Sequence, residues 1–150
     1  MIPDSYVESI TERLSLYTRL DNCDTEEELQ DFHKEMLDRF GPVPEQVEDL
    51  FTTVRCRKLA VELGFEKMSL KDEVLRCYFI NRPDSPYFES DIFKNTLDFL
   101  QKHTNKAKLK QVGKLFLLVV TDVKSMEAML AFLQRMHKGV IPKEGVGLEA

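Results

Sequence analysis

The spacing of apolar residues changes at one point in the chain, and this change constrains the fold more than any other feature. Before Gly64 the apolar side chains recur every three or four residues, which is the period of an amphipathic helix. From Phe65 to Ile80 they alternate with polar side chains, which is the period of a strand with one buried face. The chain is therefore predicted to be an α+β protein in which a helical segment, about residues 4–64, precedes an antiparallel sheet.

Two capping boxes mark the starts of the first two helices. Ser5 and Glu8 have the spacing of such a box and predict a helix from about Ser5 to Leu20. Thr25 and Glu28 repeat the spacing before a second amphipathic stretch. The first segment is therefore predicted to begin with two helices separated by a polar turn.

Glycine and proline set the remaining helix boundaries of this segment. Gly41 can adopt the left-handed conformation that closes a helix, and Pro42 prevents the second helix from continuing. Pro44 suits the first turn of a third helix, which Gly64 ends. Three helices in total are predicted before the sheet.

The second segment, about residues 65–140, is predicted to hold a sheet of about four strands and two further helices, and the two segments are predicted to be sub-lobes that share one core. Residues 143–150 lack periodicity and are predicted to be a flexible tail, leaving one domain over 1–142. The predicted elements are a hairpin turning at Lys71–Glu73, a helix ending near His103, strands at Lys108–Val112 and Lys114–Val120, and a helix from Asp122 or Ser125 to Gly139.

Composition favours a cytoplasmic location and gives no sign of catalysis. The three cysteines are an odd number without C-x-x-C spacing, and the longest apolar run, Leu115–Val120, is too short to span a membrane. No phosphate-binding loop is present, and the three histidines are far apart in sequence. Cys56, between Arg55 and Arg57, is the only hint of a reactive thiol. We therefore expect no enzyme activity, cofactor or metal in this chain.

The second helix carries the most informative surface. Residues 1–50 hold 14 acidic and 4 basic side chains, and several of these acids lie on one face of this helix. That face is either simply solvated, with Glu35 and Arg39 paired, or binds a basic partner. Asp38 weakens the first alternative, because a carboxylate in the last helical turn faces the negative end of the helix dipole. We call the four carboxylates the acidic stripe; they are Glu28, Asp31, Glu35 and Asp38.

Residues 101–150 have the opposite character, with 9 basic and 4 acidic side chains. A solvated edge strand, where lysines discourage intermolecular pairing, is one interpretation of the lysines between Lys102 and Lys114. Contact with nucleic-acid phosphate is the other, although Phe116 is the only aromatic residue close by in sequence. These lysines are Lys102, Lys106, Lys108, Lys110 and Lys114.

The run from Glu35 to Pro44 has the pattern E-x-x-D-R-F-G-x-x-P, and a second run follows Ile2. Together with Arg57, Ala60 and Leu63, these runs resemble the C-terminal (TRCF) domain of the bacterial transcription-repair coupling factor Mfd. The resemblance is dense over about residues 2–70 and then diffuse. The motif residues after Asp38 are Arg39, Phe40, Gly41, Pro42 and Pro44.

The resemblance implies a regulatory module of a longer protein, here called the parent protein. Such a parent is an ATP-driven, Mg-dependent DNA translocase that removes stalled RNA polymerase and recruits nucleotide-excision repair. The domain is expected to pack on a module similar to the repair protein UvrB and to mask the surface that recruits UvrA. Glu35 and Asp38 match acidic positions that contact this module, whereas Glu28 and Asp31 extend the surface by geometry alone. Direct DNA contact through Lys102 to Lys114 is the alternative function.

Overall fold

The computed structural model describes residues 1–142, so the predicted flexible tail lies outside the described residues. It confirms the α+β class: three helices precede a four-stranded antiparallel sheet that is accompanied by two more helices. The elements are α1 (Ile10–Asp21), α2 (Glu26–Phe40), α3 (Glu45–Leu63), β1 (Phe65–Lys71), β2 (Val74–Phe79), a 3-10 helix (Pro86–Glu89), α4 (Asp91–His103), β3 (Ala107–Val112), β4 (Leu115–Val120) and α5 (Met126–Val140).

The chain forms two compact units, which we call unit 1 (Met1–Arg55) and unit 2 (from Cys56 onward). Each unit has its own cluster of buried apolar side chains, so the expectation of a single shared core is wrong. In unit 1 the fully buried centre is formed by Leu16, Leu29, Met36, Val47 and Phe51. The amphipathic faces predicted for the first three helices therefore meet in one small helical core.

The start of α1 corrects the sequence prediction. The helix begins at Ile10, and Ser9 rather than Ser5 is its N-cap, because the Ser9 side chain accepts a hydrogen bond from the Glu12 amide at 3.2 Å. Upstream, the carbonyl of Pro3 accepts the amides of Tyr6 and Val7 in a separate turn. The earlier capping pattern was misleading because this turn already uses the local backbone groups.

Unit 2 is built on a sheet with the strand order β1-β2-β4-β3, in which all three neighbouring pairs are antiparallel. Strand β4 lies between β2 and β3 and is therefore a central strand. One face of the sheet carries Leu75, Cys77, Phe79 and Leu118, which are buried together with residues of α4 and α5. The sheet is therefore covered by helices on this face, which we call the core face.

Two glycines of unit 2 are required by close packing. Gly64 has φ +94°, and a Cβ there would collide with the ring of Tyr87. Gly139 was predicted to end the last helix, but α5 continues to Val140. Position 139 requires glycine because of the Phe99 ring: a Cβ there would lie 2.9 Å from the Cδ1 atom of Phe99. Both glycines thus make room for an aromatic ring.

Candidate partner-binding surface

The N-terminal end of the acidic stripe is part of a helix cap. Thr25 is the N-cap of α2, and its hydroxyl oxygen accepts the Glu28 amide at 3.1 Å. The same hydroxyl donates to the Glu28 carboxylate at 3.2 Å. The predicted N-cap at Thr25 is confirmed, with the Glu28 carboxylate bonded to the Thr25 hydroxyl, and Glu28 stabilises the start of α2, where a negative charge also suits the helix dipole.

Glu35 lies in a cluster of four charged side chains that joins α1 to α2. Both of its carboxylate oxygens accept hydrogen bonds from Arg19, at 2.5 and 2.7 Å, and one also accepts from Arg39 at 3.2 Å. Arg39 in turn donates to Glu12. The hydrogen bonds from Arg19 and then Arg39 lower the pKa of Glu35 to about 2. The cluster is electrically balanced, so Glu35 is already neutralised within unit 1.

Asp31 and Asp38 differ from Glu35. Both are exposed, and neither forms an ion pair with any residue between 1 and 142. Because they are seven residues apart, they point in nearly the same direction, about 20° apart around the helix and about 10 Å apart along it. The structure therefore divides the acidic stripe into Glu28 and Glu35, which bind within unit 1, and an outward pair, Asp31 and Asp38.

Several motif residues hold the end of α2 in place. The guanidinium of Arg39 lies 4.7 Å from the centre of the Phe40 ring, which itself packs 5.7 Å from the ring of Tyr6. The Tyr6 hydroxyl donates to the Gly41 carbonyl at 2.9 Å and to the Met36 carbonyl at 3.2 Å. Gly41 adopts φ +88°, as the predicted helix ending requires. These contacts fix the chain direction after α2.

The two prolines of the motif complete the link to α3. The Pro44 carbonyl accepts the amides of Val47 and Glu48, each at 3.0 Å, so Pro44 directly precedes the helix and supports its first turn. Pro42 is exposed between the two helices. Thus Glu35, Arg39, Phe40, Gly41 and Pro44 all have evident roles in the fold. Asp38 is the motif side chain with a charge and no partner in the described part of the chain.

Sequence reasoning missed how Arg19, Glu12 and Tyr6 support this surface. Arg19 and Glu35 are 16 residues apart, and Arg39 and Glu12 are 27 apart. No local pattern links residues at such separations. A search for opposite charges on the neighbouring faces of α1 and α2 is the one signal that could have suggested these pairs.

The lysine-rich stretch does not form one continuous cationic row. Lys102 pairs with Asp98 at 2.9 Å, and Lys106 pairs with Asp122 at 2.8 Å. Lys108 and Lys110 are exposed on the same face of β3, as their spacing predicts. The alternative DNA-binding role of the stretch stays a prediction, but two of its five lysines already have acidic partners.

The Cys56 thiol is not activated, and the described residues hold no group of side chains suited to a metal ion. Burial raises the pKa of the Cys56 thiol to about 11, which is the opposite of the shift that activates a nucleophile. Within residues 1–142 no group of three or more His, Cys, Asp or Glu side chains could hold a metal ion. No helix in this range is long and apolar enough to cross a membrane.

Comparison with known proteins agrees with the fold and with the motif. The model of the TRCF domain family matches residues 1–90. The transcription-repair-coupling factor of Rickettsia prowazekii is 32% identical over 114 residues, covering 76% of this chain and 10% of that protein. The corresponding protein of Escherichia coli K12 is 35% identical over 68 residues, covering 45% of this chain and 6% of that protein.

A solved structure shows the same architecture. The crystal structure of the C-terminal domain of a transcription-repair coupling factor superposes with a TM-score of 0.69, at 22% identity, covering 95% of this chain and 89% of that chain. The chain is thus an α+β domain that carries the motif E-x-x-D-R-F-G-x-x-P at the end of α2. It belongs to the TRCF domain family. It spans about a tenth of the length of the Rickettsia relative. The match to the C-terminal domain of a transcription-repair coupling factor is consistent with the expectation that this chain is not itself an enzyme.

Proposed function

We propose that this chain is a regulatory module that restrains a transcription-repair coupling factor by binding within the parent protein. The outward acidic pair, Asp31 and Asp38, binds a basic surface of the UvrB-like module and so masks the surface that recruits UvrA. The parent protein is a DNA translocase that depends on ATP and Mg and acts on stalled RNA polymerase. The module itself contributes recognition rather than chemistry.

The observation that carries this proposal is the isolation of Asp38. Every other charged residue of the motif is bound to a neighbouring side chain, whereas Asp38 is exposed and unpaired among residues 1–142. Its carboxylate also lies in the last turn of α2, where the helix dipole opposes it by roughly 0.3–1 kcal/mol. A basic partner offsets this cost, which a purely solvated face does not.

Glu35 has a different role in this proposal from the one its motif position suggests. A basic side chain of the partner has to share the Glu35 carboxylate with Arg19 and Arg39, which already hold both oxygens. We therefore propose that Glu35 holds α2 against α1. In this way it also helps to position Asp38. Its contribution to binding is thus partly indirect.

The proposed mechanism is a clamp with a closed and an open state. Charge pairs between the outward acidic pair and the UvrB-like module stabilise the closed state. Engagement of the parent protein with polymerase and DNA favours the open state, in which UvrA gains access. Such a switch needs only a few kcal/mol of difference between the two states.

The test is a charge reversal at Asp38 in the parent protein. Asp38→Lys places a cation in the last turn of α2, which the helix dipole favours, so folding is preserved. Exchanging an attractive pair for a repulsive one changes the binding free energy by about 1–2 kcal/mol, or roughly five- to thirtyfold. We expect weaker binding between this domain and the UvrB-like module, and stronger UvrA binding by the parent protein.

Asp24→Lys is the matched control, since it makes the same charge change about 20 Å along the axis from Asp38, before α2 begins. Both interactions should remain at the wild-type level in this variant. If Asp38→Lys and Asp24→Lys behave alike in both assays, the outward acidic pair does not bind the UvrB-like module and the proposal fails.

A further inference from the structure

The face of the sheet opposite the core face has an unusual composition for a surface. In the strand register, Lys67, Tyr78, Leu117 and Lys110 form one row across the four strands. The next row consists of Ser69, Arg76, Val119 and Lys108. Tyr78, Leu117 and Val119 thus occupy the middle of this face together with one basic residue, Arg76, and lysines lie on both edges. We call it the basic sheet face.

The central strand is the strongest anomaly. In an antiparallel sheet with one solvated face, the side chains on that face are normally polar. Here all three outward side chains of β4 are apolar: Leu115, Leu117 and Val119. Leu115 is 41% exposed, and Val112 opposite it on β3 is 59% exposed. Leu117 is only 3% exposed, so the apolar surface that a partner can reach is that of Leu115, Val119 and Val112, none of which belongs to the buried cluster of unit 2. Strand β4 is therefore apolar on both of its faces, while α4 and α5 pack only on the core face.

The charge on this face has one sign. None of its basic side chains forms an ion pair with any residue in 1–142, and no Asp or Glu is found at the outward positions that the strand register pairs; Glu66 lies at the irregularity of β1, where its carboxylate accepts the Asn81 amide at 3.2 Å. The ammonium of Lys67 instead lies 5.3 Å from the centre of the Tyr78 ring. The basic residues of the face are Lys67, Lys71, Arg76, Lys108 and Lys110.

We propose that the basic sheet face binds an amphipathic, acidic α-helix of a partner protein. The apolar stripe of that helix packs on Tyr78, Val119 and Leu115, and acidic residues on both sides of the stripe pair with the lysines of the two edges. This site is separate from the acidic stripe of α2 and does not depend on the function proposed for it.

The dimensions of the face favour a helix. The two edge strands, β1 and β3, are three strand spacings apart, or about 14 Å. An α-helix with its side chains is about 10–12 Å wide, so it fits between Lys67 on one edge and Lys110 on the other. An acidic helix in this position places a carboxylate on each side within reach of a lysine.

The side chains in the middle of the basic sheet face favour a protein ligand over a nucleic acid. Surfaces that bind single strands stack successive bases on aromatic side chains, and here Tyr78 is the one aromatic residue among the outward positions of the four strands. Val119 and Leu115 offer no stacking platform, but they match the aliphatic side chains of a helix. An apolar centre with a charged rim is the usual anatomy of a protein interface.

The test uses the full chain and a fluorescent helical peptide of about 18 residues. The peptide carries leucine at i, i+3, i+4 and i+7, with glutamate on both flanks of that stripe. A second peptide has the same composition but distributes the leucines around the helix. Fluorescence anisotropy then compares both peptides with single-stranded and duplex DNA at low and moderate salt.

The variant for this assay is the double reversal Lys108→Glu/Lys110→Glu. Its matched control is Arg82→Glu/Lys94→Glu, which makes the same charge change at exposed positions of unit 2 outside this face. Far-UV circular dichroism checks that both variants are folded. We expect the first to weaken binding of the amphipathic peptide about tenfold and the control to leave it unchanged.

Each other outcome overturns the proposal. Absence of saturable peptide binding at low salt shows that the face does not recognise such a helix. Equal affinity for the two peptides shows that the apolar side chains in the middle of the face take no part. Tighter binding of either DNA, with the same dependence on Lys108 and Lys110, assigns the face to nucleic acid instead.

Discussion

Replacing Glu35 by glutamine removes the charge that holds Arg19 and Arg39 together while keeping the shape of the side chain. Because the folded protein lowers the pKa of Glu35 from its ordinary value of 4.5 to about 2, ionised Glu35 stabilises the folded state. This contribution is complete above about pH 4.5 and is lost as the pH falls through the folded-state pKa, near 2. Glu35→Gln should therefore flatten the acid side of the stability profile.

The magnitude follows from the geometry and exposure of the cluster. A shift of this size corresponds to about 3 kcal/mol for a group shielded from water. The Glu35 side chain is 36% exposed and that of Arg19 is 45% exposed, so solvent screens most of this energy. The two hydrogen bonds from Arg19 place the pair at the upper end of the range for surface ion pairs. We expect a loss of about 1 kcal/mol.

The assay is urea unfolding at a series of pH values between about 2 and 5, followed through the amides of α1 and α2 by NMR. Following these amides isolates unit 1, since the two units need not unfold together. Asp31→Asn is the control, because Asp31 lies on the same helix without an ion-pair partner in the described chain. If wild type and Glu35→Gln lose stability in parallel over this range, the cluster does not stabilise unit 1 and our reasoning is refuted.

Three further predictions concern the fold. Thr25→Ala removes the N-cap of α2 and should cost about 1 kcal/mol in urea unfolding; an unchanged midpoint would contradict the cap assignment. Gly64→Ala forces a Cβ into the Tyr87 ring at a positive φ, so we expect a loss of more than about 3 kcal/mol or no folded unit 2 by NMR. Cys56 and Cys77, whose thiol pKa values burial raises to about 11 and 12, should resist alkylation near pH 8 until urea is added. Mass spectrometry measures this directly, and rapid labelling of the native protein would contradict it.

Most secondary-structure elements were predictable because their signals are local. The Thr25 cap, the helix ending at Gly41 and the change of period at Phe65 each depend on residues within a few positions of one another. The start of α1 was misplaced because two overlapping capping patterns, at Ser5 and Ser9, are equivalent in sequence. Only the turn formed by the Pro3 carbonyl decides between them.

The candidate surfaces were predictable only in part. The arc of the acidic stripe follows from helix geometry, but its division into bound and outward carboxylates depends on Arg19, which α1 brings to Glu35. Likewise, the spacing of Lys108 and Lys110 placed both on one strand face. Their association with Lys67 and Arg76 depends on how the four strands are ordered.

The α+β class, the family motif and the opposite charges of the two ends of the chain all follow from the amino-acid sequence. These properties depend on periodicity, composition and short-range spacing. Which of the charged side chains are free to bind a partner depends instead on the folded structure. Whether a carboxylate or an ammonium is neutralised depends on residues distant in sequence that folding brings within hydrogen-bonding distance, and short-range patterns do not record such pairs.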